Sequence, residues 1–148
     1  MNVYDYLDRA CIIFPASRDK RTLLKELIES ACLAGKVCDI KKFETAILER
    51  ESIMSTGIGL GVAVPHAKCA EIDDFFIAVA VLKEPVDWDA IDEKPVRIVF
   101  LIGSPEGRQT DYLKLLSKIV LLVKNQSRRE KIIASTTPEE VMAAFTSV

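Results

Sequence analysis

The sequence predicts an α/β fold, a sheet covered by helices on both faces, in one domain spanning residues 1–148. Three observations carry this. Two stretches near the start repeat apolar residues at helical spacing. Two nearly unbroken apolar runs occupy the middle, the pattern of strands buried on both sides. Helical spacing then returns and lasts to the end, so helices bracket the strands and must pack on both faces of the sheet.

The elements follow in order. From Thr22 to Ala34, Leu23, Leu24, Leu27, Ile28, Ala31 and Cys32 form one helical face, with Lys25, Glu26, Glu29 and Ser30 between them. Gly35 is the stop signal. Asp39 is the expected N-cap of a second helix reaching about Glu51, with Phe43, Ala46 and Ile47 facing inward. The glycine-rich segment after it cannot continue a helix, and Gly61 to Pro65 reads as the end of a strand. Phe75 to Leu82 is a buried strand that Pro85 is expected to break, with Trp88 in the acidic loop beyond as a plug of the core. Val96 to Ile102 is a second buried strand, closed by Gly103-Ser104-Pro105. Tyr112, Leu113, Leu116, Ile119, Val120 and Val123 mark a helix between Gln109 and Lys124, and Arg128 to Ala134 fits a short one. Thr137, Pro138 and Glu140 open the last helix as N-cap, first-turn proline and capping-box acid.

Composition narrows the function classes. Of 148 residues, 49% are hydrophobic and 28% charged, an ordinary globular balance. A net charge of −2 leaves no electrostatic footprint for nucleic acid and no basic stripe for an anionic membrane surface. No apolar run approaches the roughly 20 residues that span a bilayer. The start, Met1 to Tyr6, lacks the basic-then-apolar pattern of a secretion signal. Cys11, Cys32, Cys38 and Cys69 form no C-x-x-C pair, and with one histidine in the chain there is no zinc spacing. Reduced thiols in a cytoplasmic protein with no metal are expected.

That single histidine, His66, ends the run Ser55-Thr56-Gly57-Ile58-Gly59-Leu60-Gly61-Val62-Ala63-Val64-Pro65-His66. Three readings compete for it. Gly57, Gly59 and Gly61 mimic a dinucleotide fingerprint, but the required strand before and helix after are missing. They could simply form a bend, leaving His66 incidental. Alternatively, a neutral imidazole on a stiff turn can attack phosphorus and hold the group as a phosphoramidate. Pro65 would stiffen the approach, glycine N–H groups and Thr56 would offer donors, and Arg50 would supply positive charge.

The run from Arg50-Glu51 through Ser55 to His66 resembles the signature of type-2 enzyme IIA domains. These belong to the bacterial phosphoenolpyruvate-dependent sugar phosphotransferase system, in its fructose/mannitol class, which includes the nitrogen-regulatory IIA proteins. The similarity extends through Val86 to Asp92, Pro95 to Ile102, Asp111 to Leu116 and Thr136 to Val141. It implies a mixed sheet of about five strands flanked by helices. It implies that His66, through Nε2, takes a phosphoryl group from the phosphohistidine of HPr and passes it to a cysteine of a IIB component, with no cofactor or metal. Arg50 would neutralise phosphate charge and Thr56 would hydrogen-bond nearby. Stand-alone members of the nitrogen-regulatory branch instead use the phosphorylation state of this histidine to bind or release other proteins. One departure stands out. Many members carry a second histidine at the start of the later helix, where this chain has Tyr112. A tyrosine can donate to a phosphoryl oxygen but does not titrate near neutrality. Docking of HPr would call for exposed apolar side chains near the Gly57 to Pro65 turn.

Overall fold

In the computed structural model, which describes residues 2–146, Asp19 caps the first helix, α1 (Lys20–Leu33). Its carboxylate accepts from the Thr22 backbone N–H at 3.0 Å and from the Thr22 hydroxyl at 2.7 Å. The predicted stripe Leu23, Leu24, Leu27, Ile28 and Ala31 is buried. Gly35 follows at φ +78°, the left-handed turn that releases a helix end at little cost. Asp39 caps α2 (Ile40–Ile53) by accepting from Lys42 N–H at 3.1 Å, and the helix buries Phe43 and Ile47.

Two long strands, β5 (Phe76–Val86) and β6 (Val96–Ser104), form the antiparallel centre of the sheet, from Phe76 opposite Gly103 to Val86 opposite Val96. Their unbroken hydrophobicity has a simple cause. Phe76, Ala78 and Ala80 point into a core shared with α1 and α2. Ile77, Val79 and Val81 point into a second core with α3 (Gln109–Val123), α4 (Gln126–Ala134) and α5 (Pro138–Ala143). Position 103 in β6 takes a glycine because a Cβ there would sit 2.1 Å from the ring of its strand partner Phe76. Around this centre lie β1 (Leu7–Ile13), parallel to β5, then β3 (Val62–Ala63) and β4 (His66–Lys68), both parallel to β6. The order is β1-β5-β6-β3-β2, with β2 (Gly57–Gly59) antiparallel to β3 and β4 beside β6. The result is one α/β domain with a mixed sheet, six-stranded among the described residues because β3 and β4 share one flank of β6.

Three readings need correction. The chain does not open on a helix: a 3₁₀ turn (Val3–Tyr6) and β1 come first. Pro85 does not end its strand. It lies with Lys83 and Glu84 in an exposed stretch where the β5–β6 register shifts between Val81 and Val86, so its missing N–H is tolerated. Gly103 and Ser104 belong to β6 rather than to a turn after it. Other details agree with expectation: Trp88 is 1% exposed, a core residue, and Thr137 caps α5 through Glu140 N–H at 3.2 Å. Of the four cysteines, all free, Cys11 and Cys69 are buried.

Candidate active site

His66 is placed by the sheet. Pro65 has no N–H and separates β3 from β4, but its carbonyl accepts from Ile102 N–H at 3.0 Å, and His66 itself pairs with Ile102. Val64 N–H donates to the Thr56 carbonyl at 2.9 Å. The imidazole therefore rises from backbone held on both sides rather than from a free loop.

Its two nitrogens have different surroundings. Nδ1 lies 3.0 Å from the Val64 carbonyl, which can only accept, so in the neutral ring Nδ1 carries the proton and Nε2 keeps its lone pair. Burial pushes the His66 pKa below the ordinary 6.5, and the Arg50 charge adds to this, while the Val64 hydrogen bond and Glu51 oppose it. At neutral pH the ring is therefore uncharged and nucleophilic.

His66 lines a cleft of about 350 Å³ between the end of α2 and the start of α3. Arg50 and Ile53 come from α2, Ala67 and Lys68 follow His66, and Ser104, Gln109 and Tyr112 complete the far wall. Arg50 sits in the last turn of α2, where its Nη1 donates to the Met54 carbonyl at 2.8 Å. This satisfies a helix-end carbonyl and fixes the guanidinium at the cleft edge. The Tyr112 ring lies in the first turn of α3 with its centroid 4.9 Å from that of His66, tilted by 36°. Tyr112 is 7% exposed, and its hydroxyl is the one buried side-chain polar atom without a hydrogen-bond partner among the described residues. Burial pushes the phenol up to about 12, with Arg50 working against the rise, so the hydroxyl keeps its proton.

The remaining predicted residues lie outside this cleft. Thr56 is 4% exposed and is held by Glu51, whose carboxylate accepts from the Thr56 hydroxyl at 2.6 Å and its N–H at 2.8 Å. Gly57 packs on Ala90, where a Cβ would fall 2.7 Å from the Ala90 methyl. Gly59 faces Asp92, and the Gly61 carbonyl accepts from Arg97 N–H at 2.8 Å, four to five residues along β6 from the partner of His66. The glycines shape a hairpin that supports β3, and their N–H groups do not surround the imidazole. Leu60, at the tip of this turn, is half exposed, and Ile53 and Met54 next to the cleft are 80% and 66% exposed.

Sequence reasoning passed over Glu51 as a working residue. Its side chain is 6% exposed, and besides Thr56 it accepts from Trp88 Nε1 at 2.7 Å and pairs with Lys20 at 3.5 Å. The carboxylate ties the end of α2 to the segment that leads into β3, and so holds Arg50 and His66 in register. The available signal was its place directly after Arg50 in an otherwise polar helix end.

Comparison with known proteins gives the family. Residues 5–148 match the family described as phosphoenolpyruvate-dependent sugar phosphotransferase system, EIIA 2. The chain belongs to this family. It is 33% identical over 126 residues to the fructose-specific EIIABC component of Bacillus subtilis, covering 85% of this chain but only 20% of that longer protein. The nitrogen regulatory protein IIA-Ntr of Neisseria meningitidis superposes with a TM-score of 0.90 at 29% identity, over 97% of this chain and 99% of that one. Enzyme IIA mannitol of Escherichia coli, solved in complex with phosphorylated enzyme IIB mannitol, shares the fold at a TM-score of 0.80 and 16% identity, over 95% and 97% of the two chains. As a member of this family, the IIA domain is a phosphotransfer component. No helix among the described residues is long and apolar enough to cross a membrane.

Proposed function

We propose that the protein is a cytoplasmic phosphoryl carrier that accepts the group from phospho-HPr on His66 Nε2 and delivers it to a IIB component. The observation that carries this reading is the Nδ1 contact to Val64, which leaves Nε2 as the free nucleophile in a cleft edged by Arg50. In the step, the Nε2 lone pair forms a P–N bond as the P–N bond of the donor phosphohistidine breaks, and the electron pair returns to the donor ring. In this reading Arg50 balances charge on the phosphoryl oxygens, and the Tyr112 hydroxyl, which keeps its proton, donates to one of them. Thr56 and Pro65 act one step removed, by fixing the backbone beneath His66, and Gly57, Gly59 and Gly61 by shaping the hairpin.

Incubation with phosphoenolpyruvate, enzyme I and HPr should add one acid-labile, base-stable phosphate per chain. His66→Ala should abolish it, and any label left on that variant refutes the assignment. A second reading, a stand-alone regulator that controls other proteins by its phosphorylation state, is favoured by the near end-to-end match with a nitrogen regulatory protein. Phosphoryl transfer to a IIB partner at a useful rate excludes the purely regulatory reading.

A further inference from the structure

A second cleft, of about 440 Å³, opens where β5 and β6 meet the end of α4. It is the size of an ordinary small-ligand site. Phe14, Val81 and Ile133 give it an apolar floor, and Lys83 and Arg97 supply its charge; no acidic side chain lines it. Arg97 is half-buried and carries one side-chain hydrogen bond, from Nε to the Leu82 carbonyl at 2.9 Å. That bond fixes the plane of the guanidinium, and both Nη groups are without a protein partner among the described residues. Neither Arg97 nor Lys83 takes part in any salt bridge among the described residues. Other arginines here are satisfied differently: Arg128 and Arg129 each cap two carbonyls near helix ends, and Arg108 is paired with Asp111 and Asp74.

A half-buried guanidinium held in one orientation, with its fork free, matches a planar or tetrahedral oxyanion. The floor beneath it suits an apolar body and offers little to a polyol. We infer that this cleft binds a small organic oxyanion, its phosphate or carboxylate head on Arg97 and Lys83 and its apolar part over Phe14, Val81 and Ile133. The site is separate from the one around His66: Arg97 lies five positions along β6 from Ile102, the strand partner of His66, or roughly 16 Å at strand rise. A ligand there touches the Ser135–Thr136 link between α4 and α5 and does not meet the phosphoryl group.

The test is a ¹⁵N NMR titration of the full chain that follows the backbone amide signals of Leu82, Ser135 and Thr136, which line the cleft and persist in every variant, with four probes: inorganic phosphate, hexyl phosphate, hexanoate and hexanol. Saturable shifts are expected with hexyl phosphate, hexanoate or both, and the one that binds identifies the head group. Inorganic phosphate should bind at least about tenfold more weakly than the better alkyl probe, because it lacks the apolar part, and hexanol should not saturate. Lys83→Glu, at an exposed position, should weaken binding at least about tenfold by placing a negative charge beside the head, with phosphorylation of His66 unchanged as the check on folding. Arg97→Gln should remove saturation. The inference is overturned if no probe saturates, or if Lys83→Glu and Arg97→Gln leave the affinities as they were.

Discussion

The substitution Tyr112→Phe separates the resting protein from the phosphorylated one, because it is expected to act on them with opposite sign. In the resting structure the hydroxyl is buried and has no partner. Leaving such a group unsatisfied costs about 1–3 kcal/mol, of which removal recovers a part, since the packing of one oxygen is lost. The ring stays, so the 4.9 Å contact with His66 is retained. The expected result is a gain of zero to about 2 kcal/mol in unfolding free energy, or up to about 8 °C in Tm for a domain of this size. In the proposed phosphorylated state the same hydroxyl would gain a charged acceptor, and such hydrogen bonds contribute about 1.5–3 kcal/mol. Its loss should move the phosphoryl exchange equilibrium against the variant by about tenfold to a hundredfold. Thermal unfolding reads the first quantity, and ³¹P NMR of the protein equilibrated with HPr reads the second. A variant that melts several degrees lower while exchanging phosphate normally would show that the hydroxyl serves packing, and would refute the reasoning.

Three further outcomes are expected. The depressed pKa of His66 means that the folded protein binds its proton less readily than the unfolded chain, so stability rises with pH from the folded pKa up to about 6.5 and is level above it as far as this group is concerned. Phosphorylation should accordingly begin to fall off at a lower pH than the protonation of a free imidazole would set. The C2-proton resonance of the single histidine tests this directly, and a midpoint above 6.5 would contradict it. Arg50→Ala should slow phosphorylation by about tenfold to a thousandfold, as removal of an electrostatic stabiliser does, with little change in circular dichroism; unchanged single-turnover kinetics would remove Arg50 from the site. Glu51→Ala leaves the N–H groups of Trp88 and Thr56 without their buried acceptor, and urea unfolding should register a loss of about 3 kcal/mol.

Much of the fold was legible because its signals are local. Asp19 is an exception, since the reading began α1 at Thr22, but Asp39, Thr137 and Gly35 cap and release the helices where the sequence places them. The two central strands could be read from hydrophobicity alone. β1 could not: Asp8 and Arg9 interrupt it, and it exists by pairing as an edge strand with β5. Of the short strands, β3 falls within the stretch read as a strand end, whereas β4 depends on alignment along β6 and β2 on pairing with β3, which no window of a few residues encodes. His66, Arg50 and Tyr112, singled out from the sequence, line one cleft. For the glycines the sequence left an anion-binding loop and a simple bend both open, because alternating Gly and apolar residues fit either, and the structure shows a tight hairpin. The work of Glu51 was hidden because its partners, Trp88 and Lys20, are far away in sequence.

The seating of His66 on β4 has a further consequence. A phosphoryl group would add about −1.5 to −2 in charge to a chain whose formal charge is −2, yet the backbone beneath it is tied to β6 through Pro65 and His66 and has little room to shift. The two states of this domain would then differ far more in electric field than in shape. A partner that tells them apart must do so through charges arrayed around the cleft mouth, and its preference for one state should fade as salt shortens the range of that field.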